Sequence, residues 1–195
     1  MIVPILFFVI SSTLCVTVAK HLRFHHSYVY DPLHICLPYI DFKYFSDVLI
    51  FIQLFLFFIN LTNQIIIEFM IIMGCIQFMR ALTICSTVLP PLKHFNGKIR
   101  LGGINGIGTE YIFSGHASYA CLSAIYLASQ GVCHWFPLLV YNILSQLMVI
   151  VSHNHYTVDV VLAWIITPLL YSNLKLCQEV DFCKEKITQT VLTKF

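Results

Sequence analysis

Charge is what this chain of 195 residues has least of: Asp, Glu, Lys and Arg together make up 10% of it, against 58% hydrophobic residues. Its mean hydropathy is +0.83. A soluble domain carries roughly 25% charged residues, so this composition cannot furnish a surface that faces water throughout. The excess apolar area has to face lipid, and the fold class expected is an all-α integral membrane bundle. A basic, aromatic-interleaved patch is also missing, and the net charge is only +2, which leaves out a nucleic-acid partner. The chain has eight cysteines but no CxxC pair. Cys15, Cys75, Cys85, Cys121 and Cys133 fall inside apolar runs, where a thiol reads as a small core residue rather than part of a disulfide or metal framework. Cys177 and Cys183 lie just past the last apolar run, as an unmodified pair or as palmitoylation sites.

What is there in abundance is apolar sequence, and it divides into spans of the length a bilayer needs, about 20 residues. Residues 2–19 precede the first charge, Lys20, and form span one. A cleaved signal peptide is the alternative for them, but no positive residue opens the run. Span two is 44–60, and span three runs from about Gln64 to Leu89 and ends at Pro90-Pro91. No Asp, Glu, Lys or Arg occurs from Tyr111 to Val158, room for two spans, 116–133 and 136–152, broken near Gly131 and Pro137. Span six is 157–174, so that residues 1–175 make one six-helix transmembrane domain and 176–195 a polar tail. Six crossings put the 1–2, 3–4 and 5–6 connections on one side, here called face A. Arg80, His116, His153, His155 and Asp159 all fall at face A although they are scattered in sequence. Ionisable groups at membrane depth are costly and by default mark a functional site. Cations are more numerous on face A, which by the positive-inside rule would turn it to the cytoplasm. A site that handles phosphate carries cations of its own, so that count does not decide orientation.

The types and spacing of these residues point to phosphoryl transfer. His155 and Asp159 are four apart, one turn on a single helix face, where the carboxylate can orient the imidazole and stabilise its protonated form. The bland alternative is a buried pair that satisfies only itself. Ser114-Gly115-His116 opens span four, and N–H groups at a helix start attract phosphate. A serine that merely caps the helix explains the same residues. Arg80, with Thr83 and Thr87, makes a polar stripe on span three and can pair with phosphate, or else with Glu68, three turns away on the same span, or with Asp47 at the start of span two. The basic, Gly-rich stretch 93–108 lacks the GK[ST] of a P-loop and reads as a loop over the site. His153-Asn154-His155 hints at zinc, but no third ligand stands near it, so no metal and no other cofactor is expected. In the resulting scheme His155 attacks phosphorus, Asp159 holds it, and His116 protonates the leaving alcohol and then deprotonates the acceptor. Glu110, Tyr111, Phe113 and Tyr156 flank the two histidine motifs and could cage a quaternary ammonium headgroup. They could equally be interfacial aromatics.

Three stretches together resemble the sphingomyelin synthase family, within the wider PAP2-type group of lipid phosphatases and phosphotransferases. HNHYTVDVVLAW (153–164) is similar to its His-Tyr-Thr-x-Asp-Val motif, EYIFSGHASY (110–119) to its Asp-Tyr-x-x-Ser-Gly-His-Thr motif, and RALTICSTVLPPL (80–92) to its Arg-x-x-Thr-x-x-x-Thr-x-Leu-Pro motif. The resemblance implies a catalytic triad of His116, His155 and Asp159, and the residue types around it offer substrate contacts at Arg80, Ser114, Gly115, Glu110, Tyr111 and Tyr156. It implies a ceramide phosphotransferase whose partners are ceramide and a glycerophospholipid in a Golgi, plasma or ER membrane, with face A lumenal or extracellular. A homo-oligomer is neither required nor excluded. Glu110 stands where the family has Asp, Ala117 where it has Thr, and the family's Pro-Pro-Leu-Pro-Asp survives only as DPLHICLP (31–38). The alternatives are a PAP2-type lipid phosphate phosphatase and a non-catalytic lipid-binding membrane protein. The phosphatase pattern is met by Lys93 and Arg100, but Leu101, Phe113 and Val149 stand where it has Pro, Pro and Arg.

Overall fold

The computed structural model describes residues 2–21, 29–87, 89, 90, 92 and 112–192, and among them every regular element is a helix. The order is α1 (Ile2–His21), α2 (Pro32–Cys36), α3 (Lys43–Asn60), α4 (Asn63–Ser86), α5 (Gly115–Ser129), α6 (Trp135–Val151) and α7 (Thr157–Leu192). Each of the six apolar runs becomes a helix within a few residues of its expected ends, except that the last helix runs on well past 174. Two of these helical stretches, Asn63–Ser86 and Thr157–Glu179, are long and apolar enough by themselves to cross a membrane. Three more are apolar but shorter, Ile2–Val18, Tyr44–Asn60 and Trp135–Val151. At 15 residues, α5 is only about 22 Å long, short of a hydrocarbon core of about 30 Å.

Two features depart from the expected boundaries. The short α2 lies in the connection after α1, where Asp31 caps it by accepting from the N–H groups of Leu33 and His34, with Pro32 at its first position. At the other end, α7 runs for 36 residues and passes the expected boundary at 175/176 without a break, so the polar tail begins as a continuation of the last helix.

The packing centres on α5, which touches α3, α4, α6 and α7, while α1 lies along α4. The core is built by Phe57, Phe69, Met73, Ile76, Leu122, Tyr126, Leu127 and Val149. Polarity is distributed inside-out. Gln53, Ser123, Asn142, Ser145 and Gln146 are buried, whereas Phe51, Phe55, Ile59, Ile143, Leu144, Val161, Ile165 and Leu169 point outward. The buried amide of Gln53 donates to the Ala120 carbonyl at 2.6 Å and to Ser123 Oγ at 2.9 Å, and the Tyr141 hydroxyl to the Leu49 carbonyl at 2.7 Å. These bonds tie α3 to α5 and α6 where apolar contact alone would let helices slide. Far from face A, Glu68 accepts from Lys175 Nζ at 2.6 Å, from Gln178 at 3.1 Å and from the Tyr126 hydroxyl at 3.3 Å. That polar staple joins α4, α5 and α7, and its location rules Glu68 out as the counter-ion of Arg80.

The α1–α4 contact depends on a small residue. A Cβ on Gly74 would stand 2.6 Å from Cδ1 of Phe7 and 3.4 Å from the Phe8 backbone, so the two helices approach at the closest distance side chains permit. Gly74→Leu should force them apart and destabilise the protein by roughly 1–3 kcal/mol, read as a lower unfolding midpoint in detergent. An unchanged midpoint would mean that α1 is not held here.

Candidate active site

Five helix ends meet at face A. Backbone bonds hold them there: the Ser114 N–H donates to the carbonyl of Asp159 at 3.0 Å, joining the start of α5 to the start of α7, and Ile40 N–H donates to Val151 at 3.3 Å. The three sequence motifs are thereby brought to one place.

Ser114 is the N-cap of α5, and its hydroxyl oxygen accepts from the Ala117 N–H at 3.2 Å. Capping is therefore what this serine does in the structure. Gly115 leaves room for a neighbouring side chain. A Cβ there would be 2.9 Å from Nη1 and 3.3 Å from Cζ of Arg80, so the missing side chain makes room for the guanidinium against the start of α5. Arg80 is buried at that position. Its Nε donates to the Phe113 carbonyl at 2.7 Å and Nη1 to Gln77 Oε1 at 2.8 Å. The Thr83 hydroxyl lies 2.6 Å from the Ile112 carbonyl oxygen, one turn along the same helix face. Span three thus braces the chain just ahead of Ser-Gly-His and brings a fixed positive charge to it.

His155 and Asp159 face one another, with Nδ1 3.5 Å from Oδ2. The same carboxylate oxygen accepts the Tyr156 N–H at 3.0 Å, so Asp159 also closes the first turn of its own helix. Asp159 is 0% exposed. With Nδ1 turned to the carboxylate, Nε2 is the nitrogen left for chemistry. The ring of His116 stands 5.7 Å from that of His155, centroid to centroid and edge to face, so the two imidazoles are close neighbours at one end of the bundle. His116 is the more accessible, its side chain 31% exposed.

Asp47 occupies a place that the order of spans did not reveal. Offered from sequence as a partner for Arg80, it stands instead with Oδ1 3.1 Å from Nε2 of His116. Both histidines therefore have a carboxylate of their own. The available signal was that Asp47 starts α3 on face A; which residue it meets depends on helix rotation.

The remaining candidates separate. His153 and His155, two apart in sequence, face different neighbours: the His153 ring stacks on His34 at 4.1 Å, whereas His155 turns to His116. Tyr156 is buried against Leu92, and its hydroxyl donates to the Pro90 carbonyl at 2.9 Å. Phe113 is fully buried. These two rings pack into the protein and do not stand as an open cup. Glu110, Tyr111, Lys93, Lys98 and Arg100 lie outside the described residues. Sequence reasoning missed Asp31 and His34: the Asp31 carboxylate accepts from both the N–H and the hydroxyl of Thr157, at 2.7 and 2.6 Å, and Nε2 of His34 is 3.1 Å from the His155 carbonyl oxygen.

Comparison with known proteins covers the same part of the chain. Residues 109–176, which contain both histidines and Asp159, match the family described as PAP2 superfamily C-terminal. The chain is 30% identical over 151 residues to phosphatidylcholine:ceramide cholinephosphotransferase 2 of Rattus norvegicus and equally to that of Mus musculus, covering 59% of this chain and 41% of each relative. It is 28% identical over 132 residues to phosphatidylcholine:ceramide cholinephosphotransferase 1 of Homo sapiens, covering 53% of this chain and 32% of that protein. The matched part thus spans less than half the length of these relatives. On these matches residues 109–176 are similar to the PAP2 superfamily C-terminal family, and the chain is similar over part of its length to phosphatidylcholine:ceramide cholinephosphotransferases.

Proposed function

We propose that this protein is a membrane-embedded transferase that moves a phospho-headgroup, phosphocholine first, from a glycerophospholipid to ceramide and releases diacylglycerol. The observation that carries the reading is the pair of facing imidazoles, each with its own carboxylate, beside a buried arginine at one end of the bundle. The names of the relatives support transfer rather than hydrolysis. The apolar exterior supports a six-span bundle, with the shorter helices accommodated by local thinning of the bilayer. In that frame the reactive end meets the lipid headgroups, and face A is lumenal or extracellular.

The reaction runs in two displacements. Nε2 of His155 attacks the phosphorus of the donor diester, the bond from phosphorus to the glycerol oxygen breaks, and that oxygen takes a proton from His116. Diacylglycerol leaves, and the headgroup is held on His155 as a phosphoramidate. Now neutral, His116 takes the proton of the ceramide primary hydroxyl. The resulting alkoxide attacks phosphorus, the P–N bond breaks, and both imidazoles return to their starting states. Asp159 stabilises the positive charge that develops on His155, and Asp47 does the same for His116. Arg80 offsets charge on the phosphoryl oxygens, either directly or through the Phe113–Ser114 backbone that it braces.

His155→Ala, His116→Ala and Asp159→Ala should each reduce transfer by on the order of 10³-fold or more, since members of such a unit act together. Purified variants with unchanged helix content would be assayed with fluorescent ceramide and phosphatidylcholine in detergent. Near-normal turnover by His155→Ala removes the phosphohistidine scheme.

For the headgroup, Glu110 and Tyr111 remain the candidates for holding a quaternary ammonium, by charge and by the ring face. Phosphatidylcholine should then be used in preference to phosphatidylinositol, with phosphatidylethanolamine between them. Glu110→Gln should narrow the gap between the choline and inositol donors at least several-fold when both are assayed side by side. If wild type uses the inositol donor best, or if Glu110→Gln leaves the ratio unchanged, Glu110 does not read the headgroup.

A further inference from the structure

The backbone on both sides of His155 is gripped by a segment far away in sequence. Thr157 opens α7, and the residue before it is a tyrosine, whose side chain cannot cap a helix. Asp31 supplies the missing acceptor from outside: Oδ2 takes the Thr157 N–H at 2.7 Å and Oδ1 the Thr157 hydroxyl at 2.6 Å. Through Oδ1 the same carboxylate also accepts from the N–H groups of Leu33 and His34, at 3.1 and 3.4 Å. One buried side chain thus terminates two helices and holds them together. Three residues on, His34 sits on the other side of the nucleophile. Its Nε2 is 3.1 Å from the His155 carbonyl oxygen, a contact that a carbonyl accepts only from the Nε2–H form, and its ring stacks on His153 at an interplanar angle of 16°.

Burial works to raise the Asp31 carboxyl, but hydrogen bonds from the Thr157 hydroxyl and N–H, with His34 beside it, hold it below the usual carboxylate range. The brace is therefore ionised at neutral pH. It has work to do, because Nδ1 of His155 and Oδ2 of Asp159 are already 3.5 Å apart, at the limit of a useful hydrogen bond. A small drift of the 155–157 backbone would part the dyad and turn Nε2 away from the phosphorus.

We propose that Asp31 and His34 are positioning residues for His155, acting on the backbone from His155 to Thr157 so that the imidazole stays aligned between Asp159 and His116. The proposal rests on the transferase reading for its kinetic consequence and on the structure alone for its geometric one. The brace touches no reacting atom, so its loss should lower kcat and leave KM for the donor within about two-fold. Displacement of a reacting group by about 1 Å can reduce rate roughly 100-fold, and Asp31→Asn, which loses one acceptor, should fall by about 10- to 100-fold. Thr157→Val removes the hydroxyl donor, and its loss should not add to that of Asp31→Asn in the double variant.

The decisive experiment pairs that kinetic comparison with one that needs no turnover. The purified full chain in detergent is treated with diethyl pyrocarbonate, and the rate of modification at His155 is followed by mass spectrometry, with unfolding midpoints measured in parallel. In Asp31→Asn, His155 should be modified at least several-fold faster than in wild type while the midpoint stays close to the wild-type value. Wild-type kcat together with wild-type reactivity at His155 overturns the brace. So does an activity loss that only tracks the fraction unfolded. If wild type transfers no headgroup at all, the failure belongs to the transferase reading, and the reactivity of His155 still decides whether Asp31 positions it.

Discussion

Asp159 is the residue on which the reactive end depends. Its carboxylate takes the Tyr156 N–H and faces His155, while its carbonyl accepts the N–H of Ser114. One residue therefore closes the first turn of α7, faces His155 and bonds the start of the helix that carries His116. A carboxylate with 0% exposure is strongly destabilising unless its oxygens are engaged. Here Oδ2 takes the Tyr156 N–H and faces His155, while Oδ1 has no hydrogen-bond partner among the described residues, so the carboxylate is held at a cost beside the imidazole.

The rest of the fold supplies the conditions under which those bonds last. Its outward face is apolar and its polar side chains are turned inward, the reverse of a water-soluble bundle. Gln53 and Tyr141 lock α3 against α5 and α6, and Glu68 locks α4 to α7 at the far end. Fixing the far end matters to the near one. A rotation of α7 about its axis would carry Asp159 away from Ser114, and a rotation of α4 would withdraw Arg80 from Gly115. Small residues act in the same direction: Gly115 admits the guanidinium and Gly74 admits Phe7, each where a methyl group would hold two helices apart.

Much of this was legible in the sequence, for physical reasons that differ from one element to the next. The helices followed from apolar runs interrupted at Pro90-Pro91 and near Gly131, since a chain with so little charge has few other solutions. The His155–Asp159 pair followed from its four-residue spacing. What escaped was whatever depends on rotation or on short elements. Asp47 was placed at the correct end, but whether it met Arg80 or His116 turned on the azimuth of α3, which the order of spans does not encode. The five-residue α2 looked like a worn copy of another motif, and its Asp31 bonds a threonine 126 positions away, a distance over which a single sequence carries no signal. That Gly115 admits the Arg80 guanidinium was not legible either, because a glycine in the sequence does not say what approaches it. The continuation of α7 to Leu192 was hidden by its polar composition, since hydropathy finds where lipid ends and not where a helix does.

The central claim is that a headgroup passes through Nε2 of His155, and the intermediate itself can be sought. Purified protein would be incubated with phosphatidylcholine in the absence of ceramide, quenched in alkali, digested, and searched for added phosphocholine by mass spectrometry. The account predicts the adduct on His155, stable to base and labile to acid, lost when ceramide is added before the quench, and absent from His155→Ala. An adduct on any other residue, or full transfer to ceramide with none formed at His155, would contradict it.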